Sequence, residues 1–587
     1  MNEESLIFAI IAIVVIAVAT AIAPKLKIAG PLILVIVGLG VSLLPFVPAI
    51  TVNPDLILVG VLPPLLYSAA VSLPAIEFRR DFWPIAGLAV ILVAVSAIVL
   101  ALFFRAMIPG LDFLLALGLG AILSPTDAVA TSIAKRMGLG RRVITMLEGE
   151  SLLNDATSLV LLRTAVAASV VGTATAMQEE AAVARPGFFG AFVWGVLVAL
   201  IVGGIIGWVN LRVRALISNP AANTAIGLVV PFAAFLPTEQ LGGSGLVAAV
   251  VAGIVTGQGA ARRFTPEQRL SDELNWRMVE VVLEGAVFLL MGLELKEIVR
   301  ANGESESGIW HGVWLAAAAL GILLAVRAGY VAILVWGQAL RARRDPRRAR
   351  RLDAFSQTLD VVAAAPPTPP PGDKARDPAH LQRRVGAMRR RLMSSRATLA
   401  YYRDSPIGWK EGAVIVWAGM RGVVTLAAAQ TLPAESPERP LLVFVAFLVA
   451  VGSLILQGFT LGPLVRVLRI EPADESLDRN QQARLDLELR QAAAATLTAT
   501  ALRRDDGTPF PADLVEKASS LLVRPPDEQN QAFVNDLLGV RIAMIEAMRA
   551  RLVELSSGGQ YSSANLRHAL AQLDADQLSL QIRLDEA

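Results

Sequence analysis

The chain has 587 residues, of which 55% are hydrophobic and only 18% charged, and its mean hydropathy is +0.57. That is too apolar for a water-soluble protein of this length and points to an all-α, polytopic membrane protein. There is no cysteine, and the three histidines (His311, His380 and His568) lie far apart, so disulfides and thiolate metal sites are excluded and metal catalysis is disfavoured.

Apolar runs of membrane-crossing length fall near 5–23, 28–46, 54–75, 83–107, 112–134, 143–170, 188–211, 220–237, 241–257, 276–296, 309–336, 409–432 and 440–467. They suggest about thirteen spans, the eighth and ninth being the shortest. The acidic start Met1-Asn2-Glu3-Glu4 is unlike a signal peptide, so the first run reads as a retained span. Basic residues alternate between the loops: Lys25 and Lys27, Arg79 and Arg80, Lys135 to Arg142, Arg212 and Arg214, and Arg262 to Arg269 share one side, while Arg185, Lys296, Arg300 and Arg439 are sparse on the other. The positive-inside rule then places the N-terminus outside and the C-terminus in the cytoplasm.

The third span contains Leu62-Pro63-Pro64-Leu65-Leu66-Tyr67-Ser68, whose double proline must bend or interrupt it, for packing or for a direct role. The fifth contains Ser124-Pro125-Thr126-Asp127, where the proline removes a backbone donor and frees a carbonyl one turn earlier. In the sixth, at roughly 100° per residue, Glu150, Ser151, Asn154, Asp155 and Ser158 occupy one arc of about 140°, an oxygen-rich face suited to a hard cation. A carboxylate at such depth costs roughly 2.5–3.5 kcal/mol on insertion scales, which makes Asp127, Glu148, Glu150 and Asp155 functional candidates; the alternative is a kinked helix whose carboxylate pairs with a buried Arg. The tenth span adds Glu280 and the deeper Glu284, a candidate buried partner that could equally pair with an arginine, whereas Arg163 and Arg327 can snorkel or pair and receive no role.

The twelfth span reads Trp417-Ala418-Gly419-Met420-Arg421-Gly422-Val423, an arginine between glycines that permit unwinding. A buried Arg needs a carboxylate, and Glu150 is the first choice for Arg421. Breakers and charges at mid-span in the oppositely running fifth and twelfth segments suggest inverted repeats, spans one to six against eight to thirteen, with two crossing discontinuous helices. The hydrophilic insert 338–405 carries basic runs and a Pro366–Pro371 linker tract; the basic runs suit anionic headgroups or simply enforce topology. Residues 471–587 form a soluble tail beyond the 1–470 membrane domain, with amphipathic helical patterns at 481–503 and 529–556.

The motifs LPPLLYSAAV (62–71), SPTDAVA (124–130), GESLLNDATSLVLLR (149–163), VFLLMGLEL (287–295) and GMRGVVTLAAAQTLP (419–433) make residues 5–470 similar to the NhaP-like sodium/proton exchanger family of monovalent cation/proton antiporters. The resemblance implies a thirteen-span fold with a dimerisation domain and a moving six-helix core, acting as a homodimer in the plasma or inner membrane. It also implies a role for each matched residue. Asp155 binds cation or proton, Asp127, Ser151 and the Thr126 carbonyl complete a Na⁺ site, Asn154 supports it, and Glu150 pairs with Arg421. The Asn154-Asp155 pair is associated with electroneutral exchange. Where some members have LPPLLFE, this chain has LPPLLYS, so Ser68 replaces a carboxylate near the ion.

The expected function is therefore Na⁺ (or Li⁺/K⁺) for H⁺ exchange serving pH and cation homeostasis, with K⁺/H⁺ antiport or a cation channel as the alternatives. No cofactor, enzymatic activity or nucleic-acid partner is expected: the sequence lacks HExxH, GxSxG on a span and a P-loop.

Overall fold

In hydrocarbon a backbone polar group finds no partner but its own next turn, so long apolar stretches must be helical. The computed structural model describes residues 3–26, 28–45, 52–175, 188–303, 308–342, 350–358, 378–470 and 531–585, with Val47 and scattered residues between 481 and 513, and no strand occurs among them. The first half runs α1 (Glu3–Leu26), α2 (Gly30–Ser42), α3 (Leu56–Ser72), the short α4 (Ala75–Arg80), α5 (Phe82–Met107), α6 (Phe113–Leu123), α7 (Val129–Arg136) and α8 (Arg141–Thr175). The second runs α9 (Phe188–Arg214), α10 (Pro220–Gln240), α11 (Gly245–Arg263), α12 (Pro266–Leu293), α13 (Leu295–Gly303), α14 (Ile309–Ala342), α15 (Pro378–Asp404), α16 (Trp409–Trp417), α17 (Val423–Gln430) and α18 (Arg439–Val467), followed by α19 (Gln531–Gly558) and α20 (Ser563–Asp585).

Among the described residues seven helices are long and apolar enough to cross a membrane by length and composition alone. The others are short or broken, or, like α8 and α12, carry several charges along their 35 and 28 residues. The eighth and ninth apolar runs each form one uninterrupted helix, α10 and α11.

Packing sorts the helices into two groups. In one, α9 lies against α11, α11 against α3, and α12 against α2, with α1 and α10 alongside. In the other, α5 packs on α6, α6 on α8, and α14 on both α16 and α18, with α17 against α18. Where α2 meets α12 the backbones nearly touch: a Cβ on Gly38 would lie 2.5 Å from the Leu289 carbonyl oxygen, so glycine is the residue that permits this approach.

The third span is not interrupted at its double proline. Leu56–Val61 instead takes a widened π-helical turn directly before Pro63 and Pro64, which occupy the first positions of the following α-helical turn, where a missing N–H is harmless. A similar widening at Gly87–Ile91 had no sequence expectation.

The two remaining helices form a hairpin, α19 against α20, that sits on one end of the bundle. Ser563 N donates to buried Glu77 Oε1 at 2.6 Å, Arg269 Nε donates to Asp574 Oδ2 at 2.8 Å, and Arg141 reaches Ser562 and Asn565. The end of the insert, α15, docks beside it: Tyr401 donates to Asp81 at 2.9 Å, and Asp81 is fully buried against Arg142. Burial and the Asp81 carboxylate push the Tyr401 hydroxyl well above its ordinary pKa, so it stays a neutral donor. The helix expected at 529–556 is α19, while the Pro366–Pro371 tract, Arg185 and most of the 481–503 pattern lie outside the described residues.

Candidate functional site

Two of the apolar runs are broken, each near its middle. Helix α6 ends at Leu123, residues 124–128 leave the helix, and α7 starts at Val129; likewise α16 ends at Trp417 and α17 starts at Val423. Pro125 explains the first break and Gly419 and Gly422 the second. The broken segments cross at these points, where Asp127 N donates to the Met420 carbonyl at 2.7 Å. No side chain fits between them: a Cβ on Gly422 would lie 1.5 Å from Asp127 Oδ2.

Breaking two helices leaves unpaired carbonyls pointing at one depth. Arg421 satisfies this demand. Its Nε donates to the Leu123 carbonyl at 3.1 Å and another guanidinium N–H goes to the Gly419 carbonyl, while its backbone N–H is held by Ser453 Oγ at 2.9 Å. A cation at the C-terminal end of the α6 half-helix also complements the helix dipole.

The Glu150–Arg421 pair expected from sequence is therefore not formed. Glu150 instead makes a two-pronged ion pair with Arg327 of α14, 2.8 Å at Oε2, with both side chains almost fully buried. Arg327 Nε also donates to the Ile415 carbonyl at 2.9 Å, so one guanidinium ties α8 to the last turn of α16. Arg421 is engaged by the carbonyls of its own break, and Glu150 takes the other arginine at that depth. Sequence reasoning gave Arg327 no role, although it is the lone Asp, Glu, Lys or Arg between Ile309 and Leu340.

The remaining oxygens gather on α8 and the first break. Asn154 Nδ2 donates to Thr126 Oγ1 at 2.7 Å, and Thr126 in turn donates to Glu150 Oε1 at 3.2 Å, which anchors the unwound strand to α8. Asp127 Oδ1 accepts the Val129 N–H at 2.9 Å, capping the start of α7. Among the described residues no donor and no basic side chain reaches the Asp155 carboxylate.

A cavity of about 230 Å³ brings together Asp155, Asp127, Ser151 and Thr126 with Glu284, and runs past Thr131 and Thr425 to Ser72, Lys135, Glu148 and Glu280 at the hairpin end. Asn154 stands behind the lining as a support. Ser68 is buried but does not line the cavity, whose wall on α3 is made by Leu62, Leu65, Leu66, Ala69 and Ser72. Glu284 faces the cavity from α12, and among the described residues it has no arginine partner of the kind its sequence context allowed, whereas Arg163 pairs with Glu239 of α10.

Among the described residues no basic side chain pairs with Asp155, Asp127 or Glu284, and a cavity lined by these carboxylates and by hydroxyl oxygens suits small monovalent cations and protons. The profile of the sodium/hydrogen exchanger transmembrane family matches residues 10–348 and 385–467. The chain is 26% identical over 602 residues to an uncharacterised Na⁺/H⁺ exchanger of Mycobacterium tuberculosis, covering 99% of this chain and 98% of the relative. It is 26% identical over 439 residues to the Na⁺/H⁺ antiporter ApNhaP of Aphanothece halophytica, covering 74% and 69%. Its fold matches the structure of the sodium proton antiporter MjNhaP1 of Methanocaldococcus jannaschii with a TM-score of 0.54 at 16% identity, over 80% of this chain and 99% of the other.

Proposed function

We propose that this chain, which belongs to the sodium/hydrogen exchanger family, exchanges Na⁺ for H⁺ one for one at Asp155. It is a multi-pass membrane protein and a cation/proton antiporter, a secondary transporter and not an enzyme. The reading of ion, stoichiometry and site rests on one observation, the charge balance where the two broken helices cross. The helix group that carries both breaks holds three carboxylates at that depth, the buried Glu150 and the half-buried Asp127 and Asp155, against two buried guanidiniums (Arg327 and Arg421), so three negative charges less two positive leave one negative charge.

One monovalent ion neutralises that charge. Carrying the site across an apolar barrier while it holds an unbalanced charge is unfavourable, so the group moves when Asp155 holds either a proton or a cation, and stays when it holds neither. Proton and cation exclude each other at one carboxylate, and 1:1 electroneutral exchange follows. Asp155 would supply the charge and Asp127, Ser151 and the Thr126 carbonyl the neutral or shared oxygens, with Asn154 fixing Thr126. Glu150 is held by Arg327 and plays a structural part.

The basic loops at the end carrying the α19–α20 hairpin support a cytoplasmic location for that end, with residues 471–587 as a cytoplasmic tail and the chain in the cell membrane, its N-terminus outside. The cavity then opens to the cytoplasm. Large apolar side chains left bare on α1 (Ile7, Ile10, Val14) and α9 (Trp194, Leu197, Ile201) suit lipid or a second copy in a homodimer. Na⁺ is the cation that the names of the relatives share, among them the antiporter of Bacillus subtilis, which is also named for K⁺, Li⁺ and Rb⁺.

Asp155→Asn tests the reading. In proteoliposomes it should abolish Na⁺-driven proton movement while eluting as folded protein on size exclusion; retained exchange in this variant would remove Asp155 as the carrier.

A further inference from the structure

The cavity holds more oxygen than one ion at Asp155 can use. Glu284 enters from α12, which belongs to the opposite helix group from Asp127 and Asp155, and Glu280 lies one turn nearer the mouth on the same face of that helix. Two buried hydroxyls line the same cavity without a partner among the described residues: Thr131 Oγ1 on α7 and Thr425 Oγ1 on α17, on residues only 4% and 1% exposed. A buried hydroxyl that donates to and accepts from nothing costs free energy, on the order of 1–3 kcal/mol, unless something visits it. Neither threonine has a part in holding the breaks together, which Thr126, Asn154 and Arg421 do.

We propose that Glu284, with the Thr131 and Thr425 hydroxyls, forms a second coordination point for the alkali cation on the path between the hairpin-end mouth and Asp155. This rests on the antiport reading above. A cation leaving water at the mouth, past the Lys135–Glu148 pair and Glu280, exchanges water oxygens for the Glu284 carboxylate and the two hydroxyls before reaching Asp155. All these groups are hard oxygen donors, the set an alkali cation prefers.

The placement of Glu284 on the other helix group gives the point a direction. When one group moves against the other, Asp155 and Asp127 travel together with Thr131 and Thr425, and Glu284 stays behind. Glu284 therefore serves the ion only while the cavity faces the hairpin end, and the two faces of the transporter should differ in cation affinity because of it.

The test uses full-length protein in proteoliposomes sorted by orientation, with Na⁺ and Li⁺ chloride titrated at each face and proton flux as the readout. Glu284→Gln should change the ratio of the cation KM at the two faces by about tenfold, weakening the hairpin-end face. Thr425→Val, which keeps the shape and removes the hydroxyl, should move the ratio in the same direction by a smaller factor. Glu284→Asp should restore part of the ratio, which a purely structural role would not produce. An unchanged ratio, or an equal loss at both faces, would overturn the inference. If the unmutated protein moves no protons on addition of any cation, the antiport reading itself fails, a result distinct from either.

Discussion

Replacing Arg327 with alanine strands Glu150 in the bundle. Arg327 and Glu150 are 2% and 1% exposed, and without the guanidinium the carboxylate retains a single donor, the Thr126 hydroxyl at 3.2 Å. Breaking a buried pair from one side typically costs about 3–5 kcal/mol because the surviving charge has neither water nor partner. The loss of the Ile415 carbonyl contact adds about 1 kcal/mol. Removing Glu150 as well should recover much of this, so the Glu150→Ala/Arg327→Ala cycle should show a coupling of about 2–3 kcal/mol. The same cycle with Arg421→Ala should be additive to about 0.5 kcal/mol, since the Arg421 side chain is committed to the Leu123 and Gly419 carbonyls. Denaturant titration of the purified variants in detergent, followed by tryptophan fluorescence, measures both cycles. A larger coupling with Arg421 than with Arg327 would refute the pairing and restore the partner that sequence alone suggests.

Two further outcomes follow from the crossing point and from competition at one carboxylate. Gly422→Ala puts a methyl group where Asp127 Oδ2 now lies, 1.5 Å from the ideal Cβ, so Asp127 must leave its bond to Val129 N; cation KM should rise at least about tenfold in liposome flux assays while the protein remains folded. An unchanged KM would show that Asp127 takes no part in binding the ion. Lowering the pH by one unit where protonated Asp155 dominates should raise the cation KM about tenfold and leave the maximal rate alone, because proton and cation compete for one site. Cation titrations at three pH values decide this, and a KM indifferent to pH would point to separate sites.

Much of this arrangement was legible in the sequence because breakers and charges inside apolar runs carry strong physical constraints. Pro125 and the Gly419–Gly422 pair forced the two unwound stretches, and helical periodicity alone brought Ser151, Asn154 and Asp155 onto one face of α8. The pairing of Glu150 was not legible. Two arginines, Arg327 and Arg421, lie at similar depth in different helices, and which one meets the carboxylate depends on how α14 packs against α16 and α8. The motif pattern favoured Arg421; the carbonyls exposed by the breaks decided otherwise, a demand that becomes visible once the helix ends are located. Thr131 and Thr425 escaped for a related reason, since a threonine in a helix ordinarily returns its hydroxyl to a carbonyl one turn back, as Thr157 and Thr164 do here, and its failure to do so is a three-dimensional fact. Ser68 misled in the opposite sense: its position in the motif suggested the ion, yet the wall of α3 that faces the cavity is Leu62, Leu65, Leu66, Ala69 and Ser72.

The central claim is that one net negative charge at the helix crossing is neutralised by one proton or one cation. The most direct test is Na⁺-driven proton flux in proteoliposomes at zero voltage and at an imposed potential of about 100 mV, which is worth about 2.3 kcal/mol per net charge moved. Electroneutral exchange at Asp155 requires the same flux at both potentials. A flux that accelerates or stalls with voltage would contradict the charge balance of three carboxylates against two guanidiniums and the one-for-one exchange drawn from it.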